Sequence, residues 1–92
     1  MQWNSTSAGG NGSGTGLLRN ACVVAGNSGD ATLLEPLRRL ATHELPLVRV
    51  HAVWAMHRLG GAAMLADARS WETDASVLEE YAAWDAAPPP VI

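Results

Sequence analysis

Lysine and phenylalanine are absent from this 92-residue chain, cysteine occurs once, and aromatic residues make up 5% of it. The single cysteine, Cys22, excludes an intramolecular disulfide and any metal cluster held by thiolates of this chain alone. With no Phe, a hydrophobic content of 48% has to come from Leu, Val, Ala, Met and four Trp. That palette favours helices over sheets. No apolar run approaches the roughly 20 residues needed to span a bilayer, and the first residues are polar and Gly-rich where a signal peptide would be apolar. The expectation is a soluble, cytoplasmic chain without a membrane partner.

The charge that is present is unevenly spread. The formal net charge is -3, yet Arg19, Arg38, Arg39, Arg49, Arg58 and Arg69 face only Asp30, Glu35, Glu44 and Asp67 between residues 16 and 69. From residue 70 onward Glu72, Asp74, Glu79, Glu80 and Asp85 stand without a basic residue. A mildly basic body is followed by an acidic end, and on charge alone solvated helix faces are the favoured reading over a phosphate surface.

Residues 1–16 are Gly, Ser, Asn and Thr with one Trp, too little apolar surface to offset chain entropy, and are expected to form a disordered leader. Residues 88–92 read as a Pro-rich tail, because Pro removes backbone donors and stops a helix. Between them, residues 17–87 carry a helical period. Leu17, Ala21 and Val24 form one row and Leu18, Cys22 and Ala25 the next, with Gly26, Asn27 and Gly29 expected to end the helix. A second segment puts Leu33, Leu37 and Leu40 on a stripe, with Thr32 and Glu35 at capping-box spacing and Pro36 just after. The third, Pro46 to Leu59, is the clearest. Pro46 suits a first-turn position, Val48, Ala52, Ala55, Met56 and Leu59 form the stripe, and Gly60-Gly61 terminates it. Val50 and Trp54 lie off that stripe, as in a helix sandwiched between neighbours. A short fourth helix over about 62–69 and a fifth from near Asp74 complete the pattern.

The first helix repeats in the third at an offset of 30. Leu18-Arg19 falls on Val48-Arg49, Cys22 on Ala52, Val23 on Val53 and Ala25 on Ala55. A third copy is placed at Val77, with Leu78 where the Arg would be. Small residues after an Arg, with Gly closing the helix, are the pattern of HEAT-like hairpins. The expected fold is all-α, a short HEAT-like alpha-solenoid of about two to three helical hairpins.

No catalytic constellation emerges. His51 and His57 lie on different sides of a helix and there is no HExxH, so no metal site is expected. Cys22 sits on an apolar row as an inert thiol. No Ser occupies a nucleophile elbow, and the Gly-rich leader lacks the Lys of a phosphate loop. Trp54 and Trp84 fall at core spacing, Trp71 is a candidate interaction anchor, and Arg19 and Arg49 suit either an ion pair between repeats or phosphate.

Four blocks in fixed order go further. Leu18-Arg19-Asn20, Gly26-Asn27-Ser28-Gly29-Asp30, Leu47-Val48-Arg49-x-His51-Ala52-x-Trp54-Ala55, and Glu72-Thr73-Asp74 with Val77 and Glu79-Glu80 resemble the C-terminal helical-repeat region of the epoxyqueuosine reductases, over about residues 16–82. That family completes queuosine at the wobble base of certain tRNAs with a cobalamin and two iron-sulfur clusters. The cobalamin region and cluster cysteines have no counterpart here, so the resemblance implies no cofactor and no catalytic residue in this chain. It implies a fragment or descendant of an oxidoreductase acting as an accessory tRNA-binding module, with tRNA or a catalytic chain as partner. Arg19, Asn20, Arg49 and His51 are the candidate tRNA-binding residues, Arg for phosphate and Asn or His for a sugar or base edge. The alternative is a stand-alone protein-protein interaction module of the same HEAT-like build.

Overall fold

A computed structural model describes residues 14–86, and in it the described chain is helical and turn without a strand. The helices are α1 (Gly14–Ser28), α2 (Leu34–Leu40), α3 (Pro46–Arg58), α4 (Ala66–Trp71) and α5 (Ala75–Ala86). Short 3-10 turns, Ala31–Leu33 and Ala62–Leu65, lead into α2 and α4. The tail and most of the expected leader lie outside the described residues. Residues 14–16, expected in the leader, belong to α1.

α3 is the hub. It packs against α1, α2 and α5, and buries Val48, His51, Ala52, Val53, Ala55 and Met56, residues that point to several sides of the helix. A helix apolar on more than one side needs neighbours on more than one side, which is what these contacts supply. Its ends follow local rules. Pro46 stands in the first turn, where a missing N–H costs nothing. At the other end Gly60 adopts φ +81, and the Gly61 and Gly60 N–H groups donate back to the carbonyls of Met56 at 2.8 Å and His57 at 3.1 Å. This is a Schellman closure, and a side chain at position 60 would strain it.

Three helices run the same way. Late residues of α1 meet late residues of α3, with Gly26 against Trp54 and Ala55 and Arg58 Nη2 donating to Asn27 Oδ1 at 3.1 Å. The His57 ring of α3 stacks on Trp84 near the end of α5, at 4.9 Å between centroids. At the opposite end, Arg49 of α3 reaches Glu72, just before α5. Burial across the 30-residue offset matches in part: Cys22 with Ala52 and Ala25 with Ala55 are buried alike, whereas Leu18 and Val23 are half-buried and their counterparts Val48 and Val53 are fully buried.

Local expectations fail in three places, each for a physical reason. Of the residues expected to end α1, Gly29 does so with φ +72, but Gly26 and Asn27 stay helical; the helix runs to Ser28, whose hydroxyl donates to the Ala25 carbonyl at 2.6 Å and accepts from the Asp30 N–H at 3.0 Å. Gly26 serves close packing instead, since a Cβ there would sit 2.6 Å from the Trp54 ring and 3.0 Å from the Ala55 backbone. Thr32 and Glu35 form no capping box. Asp30 accepts the Thr32 N–H at 2.9 Å, and Glu35 pairs with Arg38. The fourth helix begins as a 3-10 turn and extends to Trp71.

Candidate functional site

The four residues singled out in the sequence do not form one polar surface. Arg49 is committed within the fold. Its Nε and Nη2 donate to the two Glu72 oxygens at 2.8 and 2.9 Å, and its Nη1 donates to the carbonyls of His43 at 2.8 Å and Glu44 at 3.1 Å. The Arg49 side chain is 16% exposed and that of Glu72 3%. A planar fork in two-point contact with a buried carboxylate has little left to offer a phosphate. Glu72 in turn accepts the backbone N–H groups of Thr73 and Asp74, so the pair fixes the approach to α5. Asp74 then caps α5 by accepting from the Ser76 and Val77 N–H groups at 2.8 and 3.3 Å. The Ser76 hydroxyl bond, with those backbone donors, holds the Asp74 carboxyl below its ordinary range.

His51 is buried, and its Nδ1–H donates to the Leu47 carbonyl at 2.8 Å. Burial lowers its pKa from the ordinary value, and the positive charge of Arg19 on α1 adds to that effect. Arg19 and His51 are thus neighbours across the α1–α3 contact, whereas Arg49 lies at the linker before α5. A neutral, buried imidazole is a packing element. The tryptophans also part ways. Trp54 packs on Gly26 with the Arg58 guanidinium over its ring at 5.5 Å, Trp84 stacks on His57, and Trp71 is 83% exposed.

Asn20 points to a different place. It lines a groove of about 470 Å³ between α1 and α2, together with Leu17, Ala21, Cys22, Val24 and Ala25 from α1, Leu33 from the 3-10 turn, and Pro36, Leu37 and Leu40 from α2. No charged residue lines it. On its rim Leu17 is 73% exposed and Val24 69%, while its floor is Cys22, whose thiol burial pushes up to about 11. A thiol so shielded is no nucleophile at neutral pH. The Asn20 Oδ1 is buried without a hydrogen-bond partner.

No family model, curated protein sequence or solved structure matches the chain. The link to the epoxyqueuosine reductases therefore rests on the residue blocks alone.

Sequence reasoning missed the groove because it set out the two rows of α1 without deciding which one is covered. The buried row is Cys22 and Ala25; the other, Leu17, Ala21 and Val24, is exposed. One signal was available: the residues preceding α1 contain almost nothing apolar to cover that row. As for cofactors, among the described residues no three His, Cys, Asp or Glu side chains converge, and one buried thiol does not fit an iron-sulfur cluster. No described helix is long and apolar enough to cross a membrane.

Proposed function

We propose that the chain is a short HEAT-like repeat module that docks another polypeptide at its α1–α2 end and is not a catalyst by itself. The observation that carries this reading is the uncharged groove beside α1, with Leu17 and Val24 more than two-thirds exposed at its rim. Contiguous apolar surface of this kind, free of charge and shaped as a cleft, is what a polypeptide partner covers. The row of α1, α3 and α5 running in one sense, with small residues such as Gly26, Ala52 and Ala55 at the contacts, supports the repeat architecture. In the setting implied by the resemblance, the partner is a catalytic chain of tRNA queuosine modification and this module is its accessory.

Direct tRNA holding is the second reading. It is favoured by the basic surplus of residues 16–69, whose exposed members include Arg38, Arg39 and Arg58. Co-isolation from cells that make the chain, with protein and RNA both measured for the wild type and for Val24→Glu, separates the two. The expected result is a polypeptide held by the wild type and lost from Val24→Glu. RNA retained equally by both, with no polypeptide, would move the function to the basic surface.

A further inference from the structure

The repeat register indicates what is missing from the groove. α2 with its leading 3-10 turn lies on α3 and contributes Leu33, Leu34, Leu37 and Leu40 to the core there. α1 is the sequence counterpart of α3 thirty residues earlier, and its small residues Cys22 and Ala25 are buried as Ala52 and Ala55 are, while Leu18 and Val23 are less covered than Val48 and Val53. By the same register α1 calls for a mate like α2. Thirty residues before the four leucines, however, the sequence reads Trp3, Asn4, Ser7 and Gly10. One apolar side chain in four, in a run of Gly, Ser and Asn with poor helix propensity, cannot provide that stripe.

We infer that the occupant of the α1–α2 groove is an amphipathic helix of another polypeptide, bearing leucine-like residues at three- and four-residue spacing, which takes on α1 the place α2 takes on α3. The inference rests on the docking reading above and specifies its partner. The groove has the form such a helix needs: small residues at the floor, Cys22 and Ala25, between apolar walls from α1 and α2. With no charge in the lining, binding depends on apolar contact and is insensitive to salt, unlike attachment to RNA.

The chain supplies its own probe. A helix-stapled peptide of residues 30–44, which carries the α2 stripe, is titrated into the full 92-residue chain at low salt and at about 0.5 M salt. Saturable one-to-one binding is expected, equal at both salts. It should weaken roughly tenfold or more with Val24→Glu in the chain, or with Leu34→Ser, Leu37→Ser and Leu40→Ser in the peptide, because each change places polar groups in an apolar contact. Absence of saturable binding overturns the inference. So does binding indifferent to Val24→Glu, the behaviour of a peptide that only displaces α2 from α3. If the peptide fails while the wild-type chain still holds a polypeptide that Val24→Glu loses, the docking reading stands with another kind of occupant. If both assays are blank, both fall.

Discussion

The two ends of the helical row are held by opposite means. At the α4–α5 end polar groups are matched: Arg49 with Glu72, Arg69 with Asp85, Arg69 over the Tyr81 ring at 5.1 Å, and Asp74 on the first turn of α5. At the α1–α2 end the outer surface is apolar and uncharged, with Leu17 and Val24 facing outward. The first end is held mainly by these charge pairs within the chain, although the buried Tyr81 hydroxyl finds no hydrogen-bond partner among the described residues and Trp71 is 83% exposed. The second carries apolar surface that folding of the described residues leaves uncovered. The contrast is informative because α1 and α3 share a sequence pattern, so the difference lies in their neighbours and not in the helices.

The largest effect that sharpens this contrast is expected at the stapled end. Arg49→Met leaves Glu72, 3% exposed, without its cation. Removing one partner of a buried pair costs about 3–5 kcal/mol. Urea denaturation should show a loss of that order, and hydrogen exchange should show α5 opening before α1. A double change of Arg49→Met with Glu72→Met recovers part of the loss.

Next in size is the seam between the ends. Gly26→Val brings side-chain atoms against Trp54 and the Ala55 backbone. Overpacking of this kind costs about 1–3 kcal/mol. The lowered denaturation midpoint should be accompanied by a shift in Trp emission as the Trp54 ring moves.

A smaller effect is expected from pH. The His51 pKa is depressed in the fold, chiefly by burial, so the unfolded chain takes up this proton first as pH falls. The contribution is complete above the ordinary histidine pKa of about 6.5 and is lost as pH drops through it toward the folded value. Stability should therefore fall as pH drops from about 7.5 through about 6.5, and less steeply in His51→Gln, whose side chain does not titrate.

The smallest effect is expected at the open end. Val24 is 69% exposed, so Val24→Glu should change stability by no more than about 0.5 kcal/mol in chemical denaturation. A loss of several times that amount would mean that the face belongs to the core.

What the sequence disclosed followed from local rules. α3 was legible from Pro46 to the Gly60 closure because both ends are decided within a few residues. The offset of 30 is a pattern of the sequence; burial agrees with it at Cys22 and Ala52 and departs from it at Leu18 and Val48, because α1 has fewer neighbours than α3. Arg49 was open between an ion pair and phosphate; its partner, 23 residues away at Glu72, belongs to tertiary structure and leaves no periodic trace. The outward row of α1 was left unassigned for the same reason. Helical periodicity separates the rows of a helix, but which row is covered depends on the neighbour present. Asn20, singled out for tRNA, lies instead in an apolar groove, because that groove is closed by α2 from a different part of the chain.

The most direct measurement places an environment-sensitive dye on Val24→Cys in one sample and on Glu79→Cys, on the acidic helix α5, in another. Cys22 stays unlabelled, its thiol buried and pushed up to about 11. Titration with the helical partner peptide should shift and saturate the emission at position 24 and leave position 79 unchanged. A response at position 79 alone, or equal responses at both, would contradict the account of α1 and α2 as the docking end.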